Sequence, residues 1–149
     1  MRRAARATMK WSAAEGARGG WPRRARRSIT ALPGAPRAVV GVIRHRGEVR
    51  AVIDLRARLG HPPRAPSADD HLIVARAVRR TVALLVDRAT EPCALTPAPA
   101  DDPALRTPHV LGVALAGGGL VLIEDLDAVL SLEDDRAVDR ALDALGRSL

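Results

Sequence analysis

Residues 39–59 read VVGVIRHRGEVRAVIDLRARL, and residues 110–130 read VLGVALAGGGLVLIEDLDAVL. Aligned without a gap at an offset of 71, Gly41 falls on Gly112, Gly47 on Gly118 and Asp54 on Asp125, with Leu55 on Leu126 and Leu59 on Leu130. An internal repeat limits the fold more than any local propensity, because both copies must be able to form the same unit. In the first copy Val39, Val40, Val42 and Ile43 run into Arg44, His45, Arg46, Gly47 and Glu48. The chain then returns through Val49, Ala51, Val52, Ile53 and Leu55. Two β-branched runs around a short polar centre predict a β-hairpin. Gly47 is the expected pivot, since only glycine takes positive φ without a Cβ clash. The shared Asp54 and Asp125 point to a common structural task, capping the turn that follows each hairpin. Leu55 and Leu59, four apart, fit one short helical turn there. The repeat markers Asp54, Gly112, Gly118 and Asp125 thus describe two similar β modules in one polypeptide.

The segments around the two copies are read from their breakers and periods. In residues 28–36, SITALPGAP, Ile29 and Leu32 fit a strand edge, and Pro33, Gly34 and Pro36 force a turn. Gly60 ends the first copy, and residues 61–66 form a proline-rich connection. Residues 72–78 and 81–86 are β-branched with Arg79 and Arg80 between them, which predicts a second hairpin. Pro92 marks a break beyond it. Residues 96–108 hold four of the eleven prolines and read as a surface loop. Ser131 is a good N-cap for a helix running to Leu149. Glu133, Asp134 and Asp135 sit at the positive end of its dipole, and Val138, Leu142, Leu145 and Leu149 form an apolar stripe. The chain therefore divides into a basic leader (1–27), a β region (28–130) and an amphipathic helix (131–149).

The formal charge of +7 is unevenly placed. Residues 1–30 carry eight Arg and one Lys against one Glu, whereas residues 31–149 carry 15 basic against 16 acidic residues. The basicity belongs to the leader, which weakens the case for nucleic-acid binding by the folded body. With one cysteine, Cys93, neither an internal disulfide nor a cysteine-based metal cluster can form within the chain. No apolar run approaches the ~20 residues that span a bilayer, and no apolar core follows the first arginines as a secretory signal requires. A cytoplasmic setting is expected. With no Phe or Tyr, and both Trp in the leader, the core must be built from Val, Leu, Ile and Ala.

No catalytic constellation appears. His45, His61, His71 and His109 form neither an HExxH motif nor an i, i+4 pair, so metal ligation is not expected. Residues 117–119 are glycines with no following GK[ST], which excludes a phosphate loop. Cys93 lacks a sequence partner and reads as a small hydrophobe. Arg46, beside the hairpin pivot, is the residue best placed to offer directed donors to a partner surface; solvation is its ordinary reading.

Residues 32–60, LPGAPRAVVGVIRHRGEVRAVIDLRARLG, resemble the central signature of the CheW-like domain family. The matching positions include Leu32, Pro33, Gly34, Pro36, Gly41, Arg46, Gly47, Asp54, Leu55 and Gly60. Residues 81–91 resemble the family's next strand, with Leu85, Val86 and Asp87 in register, and residues 110–130 its closing motif. The resemblance implies an all-β fold of two packed SH3-like β-barrel modules, here followed by a C-terminal helix. It implies a non-catalytic adaptor without cofactor, metal or small-molecule substrate. The implied partners are a CheA-like histidine kinase and the cytoplasmic tips of methyl-accepting chemoreceptors, at membrane-associated arrays. Gly41, Arg46 and Gly47 map to the family's partner-contact region.

Family members usually place a strand, turn and strand before the proline-rich segment, where this chain has its Arg/Gly-rich leader. The expectation is a first module short of strands, unless the working protein starts or is framed differently. The alternatives that remain are a basic-arm protein acting on nucleic acid, and a truncated, partly inactive relative.

Overall fold

The computed structural model describes residues 29–147, apart from 63, 66, 68, 78, 79, 90–93, 100, 104–106, 117 and 131. The expectations for the leader, Arg79, Pro92, Cys93, Gly117 and the Ser131 cap lie outside the described residues, as do those for the side chains of Glu133, Asp134, Asp135, Leu145 and Leu149.

Among the described residues six strands and three helices follow in order: β1 (Val39–His45), β2 (Glu48–Asp54), α1 (Leu55–Arg58), β3 (His71–Arg76), β4 (Thr81–Val86), β5 (Val110–Ala116), β6 (Gly119–Glu124), α2 (Leu126–Val129) and α3 (Leu132–Arg147). The two expected hairpins, β1–β2 and β3–β4, join into one four-stranded sheet of order β1-β2-β4-β3. The joint is parallel: Val52, Ile53 and Asp54 of β2 pair with Ala83, Leu84 and Leu85 of β4. Parallel neighbours need a crossover, and α1, the proline-rich connection and β3 supply it. The central strands are covered on both faces, so their apolar residues run consecutively instead of alternating: Ala51–Val52–Ile53 and Val82–Ala83–Leu84–Leu85 are all buried.

The repeat holds at the level of individual hydrogen bonds. Each hairpin has a bulge at its root, between Val39 and Gly41 and between Val110 and Gly112. The Val39 N–H donates to Pro36 O at 2.8 Å and the Val110 N–H to Thr107 O at 3.2 Å. The Asp54 N–H donates to Ala38 O and the Asp125 N–H to His109 O, both at 2.7 Å. Each of these donors and acceptors is 71 residues from its counterpart. The Asp54 carboxylate caps α1 by accepting from the Arg56 and Ala57 N–H groups at 3.0 and 3.3 Å, and that of Asp125 caps α2 by accepting from the Asp127 N–H at 2.9 Å. The capping role expected of these two aspartates is thus met.

A further feature completes each unit, expected in the first as the strand edge at Ile29 and Leu32 and without a sequence signal in the second. A strap of chain crosses the root of the hairpin and pairs with it. Thr30 exchanges two hydrogen bonds with Val42, both at 2.8 Å, and Ala98 exchanges two with Val113, at 2.8 and 2.9 Å. The glycine beside each pairing site makes room. A β-carbon on Gly41 would lie 2.3 Å from Thr30 O, and one on Gly112 would lie 2.7 Å from Ala98 O. Residues 96–108 are therefore not merely a surface loop, since Ala98 is part of the second unit.

Helix α3 lays Val138 and Ala141 on Leu32, Val39, Val42 and Ala51, closing one face of the β1–β2 hairpin, with Leu142 packed at the margin. The opposite face joins the sheet interior through Ile43, Val52, Ala83 and Leu85. Leu130, which follows α2, packs with Ile53, Ala75, Val82 and Leu84, with Leu126 against the same cluster. The second module is thereby docked on the first sheet by the two leucines that match Leu55 and Leu59.

The expectation of missing strands rests on the leader, which lies outside the described residues. Among the described residues one sheet has four strands and the other, β5–β6, has two.

Gly41→Ala is expected to lower stability by about 2–3 kcal/mol, because the strap carbonyl blocks the methyl group and must be displaced. Gly112→Ala should cost less, its clash being milder. Urea midpoints at unchanged m-value check both.

Candidate functional site

The tip of the β1–β2 hairpin is the candidate site. His45 pairs with Glu48, leaving Arg46 and Gly47 as a two-residue loop. Their φ angles are 51° and 80°, and two successive positive values make the tight turn whose twist matches that of the flanking strands. Arg46 is the only non-glycine with positive φ among the described residues. A left-handed conformation costs a residue with a Cβ about 1 kcal/mol, and asparagine or glycine would occupy the turn more cheaply. The turn therefore holds a guanidinium at a local cost in stability.

Around it, Arg44 and Glu48 are exposed, and Glu48 is ion-paired with Arg50. Val49, opposite Arg44, is 50% exposed. The tip thus presents guanidinium groups next to an apolar side chain, a combination suited to a protein surface with carboxylates or carbonyls beside an apolar spot. Gly47 is exposed at the tip, whereas Gly41 is buried at the hairpin root beneath Thr30, about five residues back along β1 or roughly 16 Å by strand rise. The three residues marked by sequence thus divide, with Arg46 and Gly47 at the surface and Gly41 under the strap.

The other end of β2 is pinned by charge. Arg64 grips Asp70 with two hydrogen bonds, Nη2 to Oδ1 at 2.6 Å and Nη1 to Oδ2 at 3.1 Å, and also pairs with Asp87. Arg56 of α1 reaches the same Asp87 at 2.9 Å. Asp70 is 4% exposed and also accepts from the Ser67 N–H at 2.6 Å. Burial pushes the Asp70 carboxyl up, but the bonds from Arg64 and Ser67 outweigh this and its pKa lies below the ordinary value. Asp87 is also held low, by Arg64 first and Arg56 second, and these carboxylates hold the Arg64 guanidinium above its usual range. The cleft bounded by these groups is lined by Asp54, Arg56, Arg64, Asp70 and Asp87, and the ion pairs of Arg56 and Arg64 with Asp70 and Asp87 make it a clamp on the connection before β3. Sequence reasoning missed the clamp because its members are up to 31 residues apart.

Among the described residues no group of three or more His, Cys, Asp or Glu is placed to hold a metal. His109 lies 3.8 Å from Glu124, and the other histidines are on separate elements. Among the described residues no helix is long and apolar enough to cross a membrane.

The chain and its fold have counterparts among known proteins. The model of the CheW-like domain matches residues 23–134. The chain belongs to the CheW-like domain family. A protein named "Probable chemotaxis protein CheW" from Rhizobium etli is 34% identical over 113 residues, covering 72% of this chain and 73% of the relative. The chemotaxis protein CheW of Rhizobium meliloti is 32% identical over the same length and shares. The crystal structure of the scaffolding protein TtCheW from Thermoanaerobacter tengcongensis superposes with a TM-score of 0.60 at 28% identity, over 72% of this chain and 76% of that one. The all-β fold with a C-terminal helix expected from the resemblance is therefore the fold observed, and within this CheW-like domain the tip of β1–β2 is the part furthest from the α1 clamp on the same strand.

The Asp70 and Asp87 carboxyls are held below the ordinary aspartate range in the folded chain. Their contribution to stability is fully present above the ordinary aspartate range and is lost as pH falls through the depressed folded values. Acid unfolding followed by circular dichroism should show this loss. Asp70→Asn is expected to flatten the acid limb and to cost about 1–3 kcal/mol at neutral pH, since it weakens a buried hydrogen-bonded carboxylate.

Proposed function

We propose that this chain is a non-catalytic adaptor of chemotaxis-type signalling, which couples chemoreceptor cytoplasmic tips to a CheA-type histidine kinase. Its place is the cytoplasm, at receptor arrays on the membrane. Family membership supports the adaptor reading, and the strained, exposed Arg46 turn carries the contact. Arg46 and Gly47 form the contact surface, and Gly41 serves it from below by letting the strap seat the hairpin. An adaptor needs no cleft. It needs a rigid body, supplied by the four-stranded sheet and the α1 clamp, and a projecting surface with directed donors, supplied by the tip.

A second reading rests on the eight arginines of the leader, which would give salt-dependent binding to nucleic acid. It is removed if binding to DNA or RNA is absent, or persists after deletion of residues 1–27.

The adaptor reading is tested by titrating the full chain against its cognate kinase and receptor fragments. Arg46→Glu is expected to weaken binding by about 2 kcal/mol, roughly thirtyfold, as for an arginine at the centre of an interface. Arg46→Asn should weaken it too while leaving the thermal midpoint equal or higher, because asparagine tolerates the left-handed turn. No binding by a folded wild-type sample would overturn the adaptor reading. Unchanged binding by both variants would remove the tip from it.

A further inference from the structure

Each of the two sheets has an open strand edge. Among the described residues β6 has one strand neighbour, β5, and β3 has one, β4. The repeat singles out the edge of β6. Its counterpart in the first copy, the edge of β2, is filled: Val52, Ile53 and Asp54 pair in parallel with Ala83, Leu84 and Leu85 of β4. Ala51, Val52 and Ile53 are buried there, whereas the equivalent Leu122 is 42% exposed and Ile123 and Glu124 are half-buried. Open edges are commonly blunted by lysine or proline, and neither residue occurs in β6 (GLVLIE) or in β3 (HLIVAR).

The backbone groups on the two edges match. Val113 exchanges its N–H and C=O with Ala98 of the strap, so its cross-strand partner Leu122 turns its own away from β5, and Leu120 and Glu124 do the same by strand alternation. On β3, the Ala77 N–H donates to Arg80 O, so Ala75 and Ile73 face β4 while Leu72, Val74 and Arg76 turn their backbone groups outward. The register of β2 on β4, carried to these two edges, sets Val74, Ala75 and Arg76 beside Ile123, Glu124 and Asp125. The Glu124 N–H then meets the Val74 carbonyl, and the Glu124 carbonyl meets the Arg76 N–H. Charge selects unlike edges. Residues 110–130 have Glu124, Asp125 and Asp127 as their only charges, and β3 ends in the exposed Arg76. Pairing β6 with β6 joins acid to acid and β3 with β3 joins base to base, whereas β6 with β3 sets Arg76 beside Asp125.

We propose that the open edge of β6 takes the open β3 edge of a second copy of this chain as a parallel strand, in the register that β2 uses on β4. Each molecule carries one edge of each kind. A pair formed this way still has one of each free, so the assembly grows by the same contact until it closes on itself. Arg46 and Gly47 belong to neither edge, so the contact is independent of whether the β1–β2 tip binds a kinase.

Sedimentation velocity of the full chain over a concentration series tests this. The weight-average mass of the wild type is expected to rise past that of a dimer. Leu120→Lys puts a charge on the β6 edge and leaves β3 intact, and Arg76→Glu reverses the charge on the β3 edge and leaves β6 intact. Each variant alone is expected to stay monomeric where the wild type associates. An equimolar mixture of the two should form a dimer and stop there, because one sound β6 edge and one sound β3 edge remain between them. Both residues are exposed, so the circular dichroism spectra should match the wild type. If Leu120→Lys fails to fold, amide exchange in the wild type provides the measurement: the Leu122 and Glu124 amides should slow as concentration rises. A wild type that stays monomeric across the series would overturn the pairing. So would a mass that stops at the dimer, which would assign the contact to like edges, association that survives either variant, a mixture that stays monomeric, or exchange at Leu122 and Glu124 that does not change with concentration.

Discussion

A carbonyl oxygen occupying the place of an absent side chain is the constraint on which both halves of this protein depend. Thr30 O and Ala98 O approach the backbone at Gly41 and Gly112 so closely that no β-carbon fits. That approach lets each strap exchange two hydrogen bonds with the following strand, which fixes the strap across the hairpin root. The bulge beside each glycine turns the hairpin out of the plane in which an ordinary third strand would lie. The rest is arranged around these two crossings. The aspartate cap ends each returning strand, and the leucines after the second cap carry the second unit onto the sheet of the first.

The parts legible in sequence were those in which a residue's neighbours in space are also its neighbours along the chain. The hairpins, the glycine pivot at Gly47, the turn at Pro33 and Gly34 and the helix through Arg147 all belong to this class. The repeat extended that reach, because a constant offset of 71 reveals correspondence without revealing contact. It showed that Asp54 and Asp125 share a task before any hydrogen bond was known. Long-range pairing left no such trace. Nothing in Val52–Ile53–Asp54 specifies β4 as a parallel neighbour. Nothing in a proline-rich stretch singles out Ala98 as a strap. Arg64, Asp70 and Asp87 form a clamp only once β2 and β4 lie side by side. The candidate site was partly legible for the same reason: Arg46 and Gly47 are local to the turn, whereas the burial of Gly41 depends on a strap eleven residues earlier.

The two copies have kept one backbone and exchanged surface chemistry. Where the first hairpin sets Arg44 against Val49, the second sets Leu115 against Leu120. Residues 39–59 carry five arginines against two acidic residues, and residues 110–130 carry only acidic charge. Duplication gives two equal scaffolds, and divergence of the exposed positions turns them into a cationic end and an apolar, acidic end. Such asymmetry is what an adaptor requires, since it must hold unlike surfaces without having them compete for one patch.

Helix α3 covers a face formed by residues about a hundred positions earlier in the chain. Val42 and Ala51 emerge from the ribosome long before Val138 and Ala141 exist to shield them. During synthesis the first hairpin must therefore wait with one apolar side open until helix α3 has been made. Closure over so large a separation makes folding slow for a chain of this size, and it makes the nascent state, not the finished one, the form most exposed to aggregation and to chaperone capture.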